Sequence, residues 1–223
     1  MSPARREKSG DIAWSGASDR PTVGTESSSK ATKGERTRQR LLDLAVERFG
    51  ARGYRATSVS EIARAAGLTQ AAAYAYFPSK EALFDAAVDA DAGALVAEAE
   101  AEAAGTPIGQ LVPLLVVCFL GGLDRHPLTR RVVGGLEPDA LQRLVNLPAL
   151  GRLTGDIADA VRSAQSQGEV RADLDAELFA NGAEAIVVSL VMSVTQVGSS
   201  TESRRQMGVL SIFDAVLRPP AIS

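Results

Sequence analysis

The chain has 223 residues, 45% of them hydrophobic, with one cysteine and a formal net charge of −3. That is enough apolar material for one sizeable domain or a small one joined to a larger one, and a lone cysteine excludes an intramolecular disulfide. The net charge argues against a nucleic-acid partner until it is divided along the chain. Residues 1–34 carry six Lys/Arg against four Asp/Glu, residues 35–80 eight against four, and residues 81–223 ten against nineteen. A basic N-terminal third on an acidic remainder is the footprint of one module that meets a polyanion.

Residues 1–34 are rich in Ser, Gly, Thr and Lys and lack apolar periodicity, which predicts a disordered N-terminal arm. It holds the only tryptophan, Trp14, offers Arg5, Arg6, Lys8 and Lys30 to phosphates, and lacks the apolar core of a signal peptide. Periodicity begins at "TRQRLLDLAVERFGARGY", where Leu41, Leu42, Ala45 and Phe49 share one helical face and Gly53 is placed to end the helix. In "TSVSEIARAAG", Ser58 and Glu61 have the spacing of a capping box, ahead of the stripe Val59, Ile62, Ala63 and Ala66. Gly67 supplies a sharp turn into "LTQAAAYAYF" (Leu68 to Phe77), the expected second helix of a helix-turn-helix. Ser79 then caps one long helix to near Gly105, since its Ala/Glu tail is built from strong helix formers.

From Pro107 onward, helical pieces fall near 107–124, 127–134, 138–146, 148–167, 175–198 and 202–217. The run "LVPLLVVCFLGGL" is too short to span a bilayer and reads as a buried helix. "AIVVSLVMSVTQV" is rich in β-branched residues, but its length and flanking patterns favour a helix. It is apolar nearly all round from Ala185 to Val194 and so needs two buried faces, one for its own core and one for a partner. The alternative is a helix running through the middle of a monomer. With the amphipathic "RRQMGVLSIFDAVL" (Val209, Leu210, Phe213, Leu217), the last two helices suit a four-helix dimer seam containing Val187, Val191 and Val194.

The stretch from 36 to about 90 resembles the DNA-binding domain of the tetracycline-repressor (TetR) family. The matches, in order, are Phe-x-x-x-Gly-Tyr from Phe49, Thr-Ser-Val-x-x-Ile-Ala from Thr57, and Ala-Gly-Leu-Thr from Ala66. Tyr-x-Tyr-Phe from Tyr74 and Pro-Ser-Lys-Glu from Pro78 follow. "GEVRADLDAELFA", ahead of the penultimate helix, resembles a looser signature of the same family. The resemblance implies an all-α chain in three parts: the arm (1–34), a three-helix DNA-binding domain with its helix-turn-helix (35–80), and a helical ligand-binding and dimerisation domain (81–223). It also implies a homodimer on a double-stranded DNA operator, an unidentified small-molecule effector, and no cofactor, metal or membrane. The expected function is a ligand-responsive transcriptional regulator, a repressor released by its effector, working in the cytoplasm.

By resemblance, the DNA contacts are Ser58, Thr69, Gln70, Ala71, Tyr74, Tyr76 and Lys80. The residues themselves support this. A short helix after a Gly turn fits a major groove about 12 Å wide. Lys80 follows a helix cap, where the macrodipole disfavours a cation unless a phosphate also binds there; a solvated surface lysine is the alternative. Ala73 and Phe77 read as core, and Tyr74 as contact or partly core. Ala71, Ala72, Ala73 and Ala75 depart from the usual family residues, which bears on sequence preference rather than on DNA binding.

The resemblance implies a small-molecule pocket in the helical domain, for which Cys118, Phe119, Asn181, Glu184, Val188 and Met192 are the first candidates. Asn181 and Glu184 are polar residues one turn apart in an apolar helix; both facing solvent is the alternative. His126, before Pro127, reads as a helix start, and Cys118 as a buried small hydrophobe or a redox sensor. No phosphate-binding glycine loop, nucleophile elbow or zinc spacing is present, so an enzyme is a poor second reading. A sensor with lost or altered DNA binding is a third.

Overall fold

The computed structural model describes residues 32–197, 208, 211–213 and 215–218. The expected arm up to residue 31, with Trp14, lies outside the described residues, as do Val209 and Leu210. Among the described residues every regular element is a helix: α1 (Lys33–Ala56), α2 (Val59–Ala65), α3 (Gln70–Tyr74), α4 (Lys80–Ala103) and α5 (Ile108–Gly122). Then come α6 (Pro127–Val133), a 3₁₀ turn (Pro138–Ala140), α7 (Leu141–Val145), α8 (Pro148–Ser166) and α9 (Ala176–Val197).

Helix α1 starts ahead of its apolar stripe because Thr32 and Glu35 form a capping box. The Thr32 hydroxyl accepts from the Glu35 amide at 3.2 Å, and the Thr32 amide donates to Glu35 Oε2 at 2.5 Å. The helix breaks at Gly53, whose φ of +82° few residues tolerate. At α2 the expected capping box is only half made. Ser58 Oγ accepts from the Glu61 amide at 3.3 Å, but the Glu61 carboxylate turns instead to Arg52, 3.5 Å away. Helix α3 is also shorter than its sequence suggests. Leu68 and Thr69 belong to the turn, and beyond Tyr74 the chain closes in tight turns on Ala73 O. Pro78 keeps these turns from running on as helix, since a residue before proline is driven out of the α region.

A buried aromatic cluster joins α1 to α4: Phe49 and Phe84 meet edge to face with ring centroids 5.1 Å apart, and Tyr54 lies 5.0 Å from Phe84. Below it, α4 continues unbroken into the body, where α5, α6, α7 and α8 pack against it. Helix α9 is a helix despite its β-branched run. Its inward stripe is Ala176, Phe179, Ala180, Ala183, Val187 and Val191. Two of the three valines expected in a dimer seam are turned inward. Val187 and Val191 are 4% and 6% exposed inside this chain's own core, and Val194 is half-buried. The outer side carries Leu178, Gly182, Ala185, Ser189 and Val197 instead. Both sides of the helix are apolar, so periodicity alone did not give its phase. By length and composition α9 is apolar enough to cross a membrane, but its inner side is packed on α8, α5 and α6. Near the C-terminus, Phe213 meets Phe179 edge to face at 5.6 Å.

Candidate nucleic-acid interface and the cavity behind it

The turn between α2 and α3 is held by two bonds that reverse the chain at a helix end. Gly67 N–H donates to Arg64 O at 3.0 Å and Leu68 N–H to Ala63 O at 2.8 Å, with Gly67 at φ +77°. Thr69 then caps α3, its hydroxyl accepting from the Ala72 amide at 3.1 Å. The hydroxyl proton stays available for an acceptor outside. Ala73 and Phe77 are buried and fix the roll of α3, so that Gln70, Ala71, Tyr74 and Ala75 face outward. Gln70 Nε2 lies 3.4 Å from the Tyr74 hydroxyl, so the two polar groups of this face stand side by side. Tyr74 is 38% exposed, while Tyr76 is half-buried against the core. Ser79 caps α4 through the Ala82 amide at 3.0 Å, and Lys80 Nζ lies 4.5 Å from the centre of the Tyr54 ring.

This arrangement can read a duplex. An amide side chain can both donate to and accept from an adenine edge, and the exposed methyls of Ala71 and Ala75 allow close approach and thymine contact. The expected list omits Arg48, Arg52 and Arg64, which line a shallow cleft with Glu61 on α1 and α2. Their i, i+4 spacing on α1 was the available signal.

Behind the helix-turn-helix, the body holds a narrow apolar cavity of about 50 Å³. Leu95 and Val96 of α4, Leu115 and Phe119 of α5, Leu153 and Ile157 of α8, and Val188 of α9 are among its walls. Among the described residues, Thr129 and Glu184 are the polar residues on its wall, and neither presents polar surface to it. Of the expected pocket residues, the structure brings Phe119, Glu184 and Val188 to the cavity. It does not bring Cys118, Asn181 or Met192 there. Asn181 is exposed and donates to Glu177 O at 2.7 Å. Cys118 is buried beside Glu102, and burial above all pushes its thiol up to about 11, so it stays protonated at neutral pH.

Helix α6 stands between this cavity and α1. Its own cap residue, His126, makes no capping bond; Asp91 of α4 does the work from outside. Asp91 Oδ2 accepts from Thr129 N–H at 2.7 Å and from the Thr129 hydroxyl at 2.9 Å, and Oδ1 lies 3.0 Å from His126 Nδ1. A buried carboxylate at a helix N-terminus meets both the free amides and the positive end of the dipole. At the far end of α6, Arg131 pairs with Glu137 at 2.8 Å, and Glu137 accepts from the Tyr54 amide at 3.1 Å. Pro127 sits so close to Gly50 that a Cβ there would come within 2.9 Å of it. Thr129 and Val133 of the same helix line the cavity. One seven-residue helix thus touches the cavity on one side and the base of the helix-turn-helix on the other.

Residues 41–87 match the model for bacterial regulatory proteins of the tetR family. Over 53 residues, 24% of this chain and 27% of the relative, the chain is 49% identical to the uncharacterized HTH-type transcriptional regulator YdgC of Bacillus subtilis. Over 85 residues (37% and 40%) it is 36% identical to the HTH-type transcriptional regulator AcrR of Shigella flexneri. The match thus spans less than half the length of these curated relatives. Beyond it the fold continues the likeness. The transcriptional regulator FadR of Bacillus subtilis, solved in complex with stearoyl-CoA, aligns with a TM-score of 0.61 at 19% identity, over 81% of this chain and 99% of that one. The helix-turn-helix domain thus matches the tetR family of bacterial regulatory proteins, and the body behind it shares its fold with FadR of Bacillus subtilis.

Proposed function

We propose that the chain is a DNA-binding transcriptional regulator: a homodimeric repressor that holds an operator through two copies of α3 and leaves it when a small molecule fills the apolar cavity. The observation that carries this reading is α6, which lines the cavity with Thr129 and Val133 while Pro127 presses on α1. A ligand that spreads the cavity walls moves α6, and α6 bears on the base of the helix-turn-helix. Ser58, Thr69, Gln70, Ala71, Tyr74, Tyr76 and Lys80 are the proposed DNA contacts, with Phe119, Glu184 and Val188 in the effector site. Kinship to regulators, a basic head and an acidic body support the DNA-binding side of the proposal. A regulator of this kind works in the cytoplasm, with the DNA.

Selection of bound duplexes from a random pool tests the proposal. The expected outcome is a two-fold symmetric site whose half-sites lie about 34–36 Å apart, bound with steep salt dependence. Enrichment of no site, or of a site without symmetry, would sink it.

A further inference from the structure

Resting on the reading that the helix-turn-helix binds a duplex, we infer that Arg38 of α1 grips a backbone phosphate of the operator, a contact that positions the head without reading sequence. The apolar stripe of α1 runs Leu42, Ala45 and Phe49, and Arg38 stands one turn ahead of it on the same face. That phase carries its guanidinium over the ring of Phe77, 4.7 Å from the centroid. Phe77 is buried in the turns that follow α3, directly after Tyr76 and three residues ahead of Lys80. The ring thus holds Arg38 at the edge of the proposed DNA surface, while the Arg38 side chain stays exposed.

What the guanidinium lacks is an anion. Among the described residues no carboxylate lies within ion-pair distance of Arg38, nor of Lys33, Arg36 or Arg40, the other cations at this end of α1. The carboxylate of that stretch, Glu35, is turned back onto the Thr32 amide by the capping box. Cations gathered at a helix N-terminus work against the macrodipole, so this end of α1 gains when a polyanion lies beside it. Of the four cations, it is Arg38 that a ring holds in place, so it has the least side-chain ordering left to do on binding. A guanidinium with one face on a ring keeps its N–H edge free, and that planar fork matches the oxygens of a phosphate. Lys80 has a like setting, its ammonium on the Tyr54 ring with no carboxylate at ion-pair distance among the described residues. The other use of the same contact is a lid that shields Phe77 from water, and a lid has no part in salt dependence.

Binding of the full-length chain to the selected operator, and to operators with single base-pair changes, separates the two when each is titrated over a range of salt concentrations. R38Q removes the charge and keeps a polar side chain over the ring; R38K keeps the charge and loses the fork. R38Q is expected to weaken binding to every one of these duplexes by the same factor. It should also lower the slope of log affinity against log salt by about one unit for each protomer bound. R38K is expected to keep the parent slope. An unchanged slope in R38Q, losses that differ from duplex to duplex, or a slope lost equally in R38K overturns the inference and leaves the DNA reading standing. Lower melting together with weaker binding at the parent slope marks Arg38 as a lid on Phe77 and overturns it as well. A parent chain that binds no duplex in a salt-dependent way overturns the DNA reading itself, and the inference with it.

Discussion

Gln70 and Lys80 are both polar residues on the proposed DNA side, but their settings assign them different work. Gln70 opens the exposed face of α3 beside Tyr74, where a side-chain amide meets base edges. Gln70→Ala should therefore relax preference at one or two operator positions by about 1–3 kcal/mol each, measurable by titrating operator variants. Lys80 starts α4, with its ammonium over the Tyr54 ring, where free helix amides and a cation together suit a phosphate. Lys80→Ala should weaken binding to all sequences about equally and lower the salt slope by about one unit. If the salt slope stays the same, Lys80 is no phosphate contact. At this scale much was legible in the sequence. Ala73 and Phe77 read as core from their spacing, and Thr69 and Gln70 read as the start of the helix. The settings of Glu61 and Asn181 were not legible. Each has a partner that spacing did not single out: Arg52 from another helix for Glu61, and a carbonyl of its own helix for Asn181.

Among the elements, α6 shows how a boundary can be read while its support cannot. His126-Pro127 marks its start in the sequence, because proline suits the first turn of a helix. Its cap comes from Asp91, 38 residues from Thr129 in the chain, and no local pattern announces such a partner. Asp91→Asn should cost about 3 kcal/mol, because it removes a buried charge that serves a helix N-terminus and leaves one acceptor oxygen where there were two. Calorimetry should then show a melting temperature lower by roughly 6–12 °C. Operator release by a cavity ligand should weaken as well, since α6 is no longer tied to α4. A variant that melts like the parent would mean that water satisfies the Thr129 amide equally well, and that the strut does not depend on Asp91.

For the whole molecule, the decisive surface is the outer side of α9. The acidic body repels a duplex while the basic head attracts it, so the charge division turns the right end toward DNA but cannot set the distance between two heads. The proposed dimer would set that distance. Gly182, Ala185 and Ser189 follow one another at helical spacing on the exposed side of α9, small enough for a second helix to come close, and Leu178 and Val197 flank them. Ala185→Glu or Ser189→Glu should therefore give monomers in sedimentation. Each monomer should keep its melting behaviour and its half-site affinity but lose tight binding to the two-half-site operator. Val187→Glu should behave differently: its side chain is 4% exposed between α9 and the cavity, so the charge would be buried inside one chain and the fold itself should fail. The contrast between the two positions makes the test sharp. Dimers that persist with Glu at both 185 and 189 would move the interface off this face, and a folded, monomeric Val187→Glu would restore the seam to the side the sequence first suggested.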